Sequence, residues 1–184
     1  MAHFSHLINA DIPKPGGVGM PSDWVREHAR LIEPGRRVLD LACGHGRNAR
    51  WLASQGWQVE AVDRDAEALR SLQGIAGIRP KLADLEEAGW PYPDTLFDGI
   101  VVCRYLHRPL LVRLAESLAP GGVLIYETFM AGQAQFGRPH SPEFLLQPDE
   151  LYDTYANRLA VVAFEQGRFD HPKPAMLQRI CARK

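Results

Sequence analysis

The sequence predicts an α/β fold, a mostly parallel, doubly wound sheet with helices on both faces and an antiparallel hairpin at one edge. Three observations predict it. Short apolar runs alternate with helix-period stretches from residue 37 to residue 128, the rhythm of successive βαβ units. The two strongest runs, FDGIVVC at 97–103 and VLIYET at 123–128, read as the continuous apolar runs of central parallel strands. The last two strand candidates, 159–164 and 175–181, are joined by a polar linker carrying Gly167, Pro172 and Pro174. With no crossover helix between them, they must run antiparallel.

Each element has a local cause. Residues 1–21 hold Pro13, Pro15, Gly16, Gly17, Gly19 and Pro21 with no periodicity, and read as a flexible arm or lid ahead of one domain over 22–184. Ser22 is an N-cap, Trp24, Val25, His28, Ala29 and Ile32 recur at helical spacing, and Pro34-Gly35 ends that helix. A strand follows at 37–41, a helix at 47–55 closed by Gly56, and a strand at 58–62. Asp65 caps a helix over 65–72, and a weaker strand spans 78–83. After the strand at 97–103 comes a helix over 109–118, stopped by Pro120-Gly121-Gly122. Residues 129–147, rich in Gly, Pro and Gln, are longer than an ordinary connection, and loops of that length tend to be functional. A short helix at 149–156 precedes the hairpin.

The chain has 184 residues, 46% of them apolar and 23% charged, enough for one real core. A net charge of −1 gives no global basic field to attract nucleic acid. The first ten residues lack the basic start and apolar run of a signal peptide, and no stretch holds the roughly 18 apolar residues of a membrane span. Cys43, Cys103 and Cys181 are odd in number and widely spaced, which predicts reduced thiols in a cytoplasm, and no metal site is expected from them or from His3 and His6.

The chemistry gathers after the first strand. Cys43-Gly44-His45-Gly46-Arg47-Asn48-Ala49 is a glycine turn opening a helix, and Gly44-x-Gly46-x-x-Ala49 satisfies the dinucleotide pattern GxGxxG/A. A purely structural tight turn satisfies it equally well. Asp40, just ahead of the glycines, discriminates between cofactors. A carboxylate there repels a pyrophosphate by about 1 kcal/mol or more at about 5 Å, but welcomes the ammonium and sulfonium of S-adenosylmethionine (SAM). Asp63 ends the second strand, where an acid can accept from both ribose hydroxyls. Asp84 follows the third strand, where it can accept from an adenine amino group with Leu85 packed on the ring. Alone, each acid is as plausibly a loop or cap residue; in series at three successive strand ends they read as one ligand site.

At this point VLDLACGHGRNARWLASQGWQVEAVD resembles the first two motifs of class I SAM-dependent methyltransferases, ADLE the adenine-binding motif, FDGIVVC the fourth-strand motif and LAPGGVLIYETF the fifth. The GHGRNA continuation is similar to the tellurite-resistance and thiopurine methyltransferase branch, and YETF, FGRP and PEFLLQPDEL resemble small bacterial methyltransferases of unassigned substrate. The resemblance implies a Rossmann-like seven-stranded sheet in order 3-2-1-4-5-7-6 with strand 7 antiparallel. It also implies SAM as cofactor, S-adenosylhomocysteine as product, and a donor site drawn from Asp40, Ala42, Cys43, Gly44, Gly46, Asn48, Asp63, Arg64, Asp84, Leu85 and Cys103. Ala42 departs from the family, which usually has its first glycine there; a slight shift of the turn is expected, without loss of binding.

Methyl transfer demands proximity and alignment more than acid–base chemistry. The acceptor wall is expected at Arg104-Tyr105-Leu106-His107-Arg108 and Glu127-Thr128-Phe129, with Arg138 and His140 on a loop able to close over it. Arg104, Tyr105 and His107 are the candidate catalytic residues, His107 foremost because its pKa suits neutral pH. For any one of these cations, a solvated surface role is the commoner assignment. The cluster favours a small anionic or soft acceptor such as a thiol, oxyanion or carboxylate. Cys103-Arg104-Tyr105-Leu106 replaces the Asn/Asp-Pro-Pro-Tyr/Phe signature of amino-directed nucleic-acid methyltransferases, which argues against nucleic acid as partner. Two alternatives stay open, an RNA or protein methyltransferase working with a partner and a non-catalytic SAM-binding regulatory module.

Overall fold

A computed structural model describes residues 19–184. The expected arm at 1–21 lies almost wholly outside the described residues. Seven strands form one sheet in the order β3-β2-β1-β4-β5-β7-β6. They are β1 (Arg37–Leu41), β2 (Gln58–Asp63), β3 (Ile78–Leu82), β4 (Phe97–Cys103), β5 (Leu118–Phe129), β6 (Ala160–Phe169) and β7 (Ala175–Arg183). The first five run parallel, β7 is antiparallel to β5, and β6 is antiparallel to β7. This is the topology that the resemblance implies.

The helices are α1 (Asp23–His28), α2 (Arg47–Ser54), α3 (Ala66–Arg70), α4 (Leu111–Glu116) and α5 (Glu150–Tyr155). Two apolar clusters lie on opposite faces of the sheet, as the alternation of strand side chains requires. One joins Val38, Val101, Val123 and Ile125 to Trp24, Val25 and Leu52 of α1 and α2. The other joins Leu39, Ile100, Leu124 and Tyr126 to Leu111 and Leu114 of α4 and Leu151 and Tyr155 of α5. Both expected caps form: the Ser22 hydroxyl accepts from the Val25 N–H, and one Asp65 oxygen accepts from the Glu67 and Ala68 N–H groups.

Three boundaries differ from the sequence reading. The helix expected to 118 ends at Glu116, and Pro120-Gly121-Gly122 lies within β5. The β4 register slips there between Phe97 and Gly99, and a Cβ on Gly122 would stand 2.9 Å from the Phe97 carbonyl and 2.8 Å from that of Ala119. The Pro-Gly-Gly therefore builds an irregular strand entry rather than a helix stop. The hairpin strands also run to Phe169 and Arg183, so half of the polar linker is strand. An edge strand keeps one face in water, and Glu165, Gln166 and Arg168 are exposed.

The segment 129–147 is not a free lid. Its ends pair through Met130 and Leu146, and the buried Gln133 side chain accepts from the Met176 N–H at 2.8 Å. Arg108 is bidentate to Glu150 at 2.7 and 3.0 Å and donates to the carbonyls of Glu143 and Leu145. Arg108 is thus a strut between this loop and α5 and leaves the list of acceptor cations. Exposed residues remain along the segment from Gly132 to Gln147, Arg138 and His140 among them.

Candidate active site

The carboxyl ends of β1, β2 and β4 converge on the glycine turn. Two buried carboxylates hold it. Asp40, 1% exposed, accepts from the Ala49 N–H at 2.9 Å. Asp63, 5% exposed, accepts from the Gly44 N–H at 2.7 Å and the Asp65 N–H at 2.9 Å. Each Asp63 oxygen keeps a second acceptor position, so capacity for a hydroxyl donor remains. Gly46 sits at φ +72 at the start of α2, where a Cβ would press to 2.6 Å from the Leu72 side chain. Only glycine fits that close approach. Ala42 is also left-handed, at φ +53, which for an L-residue stores strain of about 1 kcal/mol.

Asp40 sharpens the cofactor argument. Its carboxylate occupies one of the α2 amides that an anionic pyrophosphate would seek. Burial, opposed by the Ala49 N–H and the Arg47 guanidinium, pushes its pKa up to about 7. It is therefore a reserve of negative charge that a nearby cation would call out, rather than a fixed charge. That environment fits a cationic methyl donor and gives no cradle to a diphosphate.

The other residues expected to hold a donor lie after β2 and β3, in the glycine turn and α2, and at the end of β4. Asp84 caps its own loop, accepting from the Glu86 and Glu87 N–H groups, and stands 3.8 Å from Arg64, which also reaches Glu86 at 4.0 Å. Leu85 is buried in the apolar cluster that holds Tyr92 and Tyr105. Asn48 is buried, and its side-chain oxygen is taken by the Ser22 N–H, while Arg47 donates to the Met20 carbonyl. These two contacts tie the entry of α1 to the glycine turn, a structural use of Asn48 that the sequence reading did not foresee. Burial raises the Cys43 and Cys103 thiols above their usual range, so both are protonated, unreactive thiols at neutral pH.

On the acceptor side, Arg104 leaves β4 at φ +59, donates its N–H to the Glu127 carbonyl at 2.9 Å, and lays its guanidinium 4.5 Å from the Phe129 ring centroid. A left-handed arginine at a strand exit is the kind of strained position that clusters at active sites. Tyr105 is buried, its carbonyl accepts from the Tyr126 hydroxyl, and its own hydroxyl has no hydrogen-bond partner among the described residues. Burial raises its pKa, and Glu86 and Asp84 reinforce the rise. His107 is half-buried ahead of a 3-10 turn, Arg108–Leu110. The sequence reading missed Arg179 of β7, 15% exposed at its side chain and 3.4 Å from the Glu127 carboxylate. The available signal was an arginine in the otherwise apolar row Ala175, Leu177, Arg179, Cys181.

A methyltransferase-domain family model matches residues 19–181, and the chain belongs to that family. It is 40% identical over 96 residues to a trans-aconitate 2-methyltransferase of Methylobacterium nodulans, covering 48% of this chain and 36% of that protein. It is 31% identical over 118 residues to a ubiquinone biosynthesis O-methyltransferase of Xanthomonas campestris, covering 59% and 49%. The chain thus spans about half or less of the length of these relatives. TehB from Haemophilus influenzae shares the fold, with a TM-score of 0.75 at 21% identity over 93% of this chain and 64% of that one. A SAM-dependent methyltransferase from Mesorhizobium loti superimposes with a TM-score of 0.65 at 19% identity, covering 86% and 96%. SAM is the cofactor that this family membership implies.

Two outcomes follow from the turn. Ala42→Gly, relieving a left-handed alanine, is expected to leave stability unchanged or raise it by up to about 1 kcal/mol in urea unfolding, where glycine substitution elsewhere costs stability. Asp40 binds a proton more tightly folded than unfolded. Its contribution is therefore complete below about pH 4 and is lost as pH rises through about 7. Relative to Asp40→Asn, the ligand-free protein should lose up to about 4 kcal/mol across that window; a flat difference between the two unfolding profiles contradicts the assignment.

Proposed function

We propose that this chain transfers a methyl group from SAM to a small-molecule acceptor and releases S-adenosylhomocysteine. The observation that carries the reading is the set of acids at three successive strand ends around the glycine turn, with Asp40 both blocking an α2 amide and supplying charge for a cation. SAM supplies a methyl carbon already activated by its sulfonium. The residues bind, align and exclude water. Asp63 would accept from the ribose hydroxyls; Asp84, beside Arg64, and Leu85 would hold the adenine. Ala42, Cys43, Gly44, Gly46 and the entry of α2 at Asn48 would cradle the methionine end, and Cys103 would lie beneath the reacting groups. Arg104, Tyr105 and His107 are the acceptor-side candidates.

Small acceptors are supported by the names of the relatives, a trans-aconitate and a ubiquinone-pathway O-methyltransferase. The cation-bearing rim of Arg104, His107 and Arg138 suits an anionic or soft acceptor that needs no strong base. Among the described residues no helix is long and apolar enough to cross a membrane. The free state of Cys43, Cys103 and Cys181 supports a reducing compartment, the cytoplasm.

Calorimetry tests the reading. SAM and S-adenosylhomocysteine should bind with micromolar affinity and NAD should give no heat of binding; tight NAD binding overturns it. Asp63→Ala should weaken SAM by about 2–3 kcal/mol, beyond any loss of melting temperature from the freed Gly44 amide.

A further inference from the structure

One row of charge crosses the carboxyl edge of the sheet on the α1 face. The register sets Cys103 beside Glu127, Glu127 beside Arg179, and Arg179 beside Glu165. Elsewhere on this face the strands carry apolar side chains: Val101 on β4, Val123 and Ile125 on β5, Cys181 on β7. Glu127 and Arg179 interrupt two such rows at directly paired positions. Glu127 is 5% exposed. A buried ion pair is poor value for stability, since apolar residues of similar volume commonly serve as well or better.

The pair is also unsaturated. Arg179 Nε stands 3.4 Å from Glu127 Oε2, yet this buried N–H makes no hydrogen bond among the described residues. Among them the Glu127 carboxylate accepts a hydrogen bond only from the weak Cys103 thiol donor, at 3.8 Å. A carboxylate has about four acceptor positions. The guanidinium is held rigidly, 3.7 Å from the Phe169 ring centroid and 5.8 Å from that of Trp24, with its far side 3.7 Å from Glu165. Cys103 links this row to the glycine turn, because β4 pairs with β5 on one side and with β1, which leads into the turn, on the other.

We propose that Glu127 and Arg179, walled by Phe169, Trp24 and the Arg104–Phe129 stack, form the acceptor subsite and take a small oxyacid with a neighbouring hydroxyl or thiol. The hydroxyl or thiol donates a hydrogen bond to the Glu127 carboxylate, and an acid oxygen accepts from the exposed edge of the Arg179 guanidinium, whose side chain is 15% exposed. This rests on the methyl-transfer reading and names the acceptor chemistry for it.

The test uses the full chain, thioglycolate, lactate and salicylate as probes, and propionate, which lacks the second donor, as control. Binding is read by saturation-transfer NMR with and without S-adenosylhomocysteine. At least one probe should bind ten-fold or more tightly than propionate. Glu127→Gln and the double variant Glu127→Leu/Arg179→Met should each lose that preference by ten-fold or more. Both should keep wild-type affinity for S-adenosylhomocysteine, and the double variant, having no unpaired buried charge, should keep the wild-type melting temperature. Equal probe binding by wild type and variants, or no probe preferred over propionate, overturns the subsite. Failure of the wild type to bind S-adenosylhomocysteine instead sinks the methyl-transfer reading, and the probe arm without it still scores the subsite.

Discussion

Two buried carboxylates fasten the glycine turn to the sheet, and the rest of the site is organised around them. Asp40 reaches from β1 to the Ala49 amide, and Asp63 reaches from β2 to the Gly44 amide. Each acid satisfies a backbone donor that the tight turn would otherwise leave orphaned in a dry interior, where an unmade hydrogen bond costs about 1–3 kcal/mol. In doing so they fix where α2 begins, and through Ser22 and Asn48 where α1 lies. A turn built this way holds a carboxyl, Asp40, that a nearby cation turns into a charge, which favours a cationic ligand over an anionic one.

The same alternation that buries the two faces of the sheet distributes the chemistry. Odd positions at the end of β5 face α1, so Glu127 meets Cys103 and Arg179, while Tyr126 turns to the other face and donates to the Tyr105 carbonyl. The residues proposed for the donor and the acceptor therefore sit at the ends of neighbouring strands of one sheet. The long segment after β5 is held to the fold by Arg108, Gln133 and Leu146, with exposed residues between these anchors.

Much of this was legible in the sequence because it is local. Strand and helix periods gave the βαβ succession, the helixless linker gave the hairpin, and Ser22 and Asp65 cap the helices they were expected to cap. The glycine turn and Asp40 sit within a few residues of one another, and Asp63 and Asp84 were found by their places after the next two strands. What escaped depends on contacts distant in the chain. Arg108 looked like a free cation because its partner Glu150 lies 42 residues away. Arg179 went unnoticed because its meaning comes from Glu127 across the sheet. Pro120-Gly121-Gly122 looked like a helix stop because the carbonyls that fill the space of a side chain at Gly122 include that of Phe97 on another strand.

The most direct measurement is a crystal structure with S-adenosylhomocysteine bound. The account predicts both ribose hydroxyls within hydrogen-bonding distance of the Asp63 carboxylate, the adenine beside Asp84 and Leu85, and the sulfur between the glycine turn and Cys103, facing Glu127. An adenosine bound away from Asp63, or a sulfur directed away from the ends of β4 and β5, would contradict it.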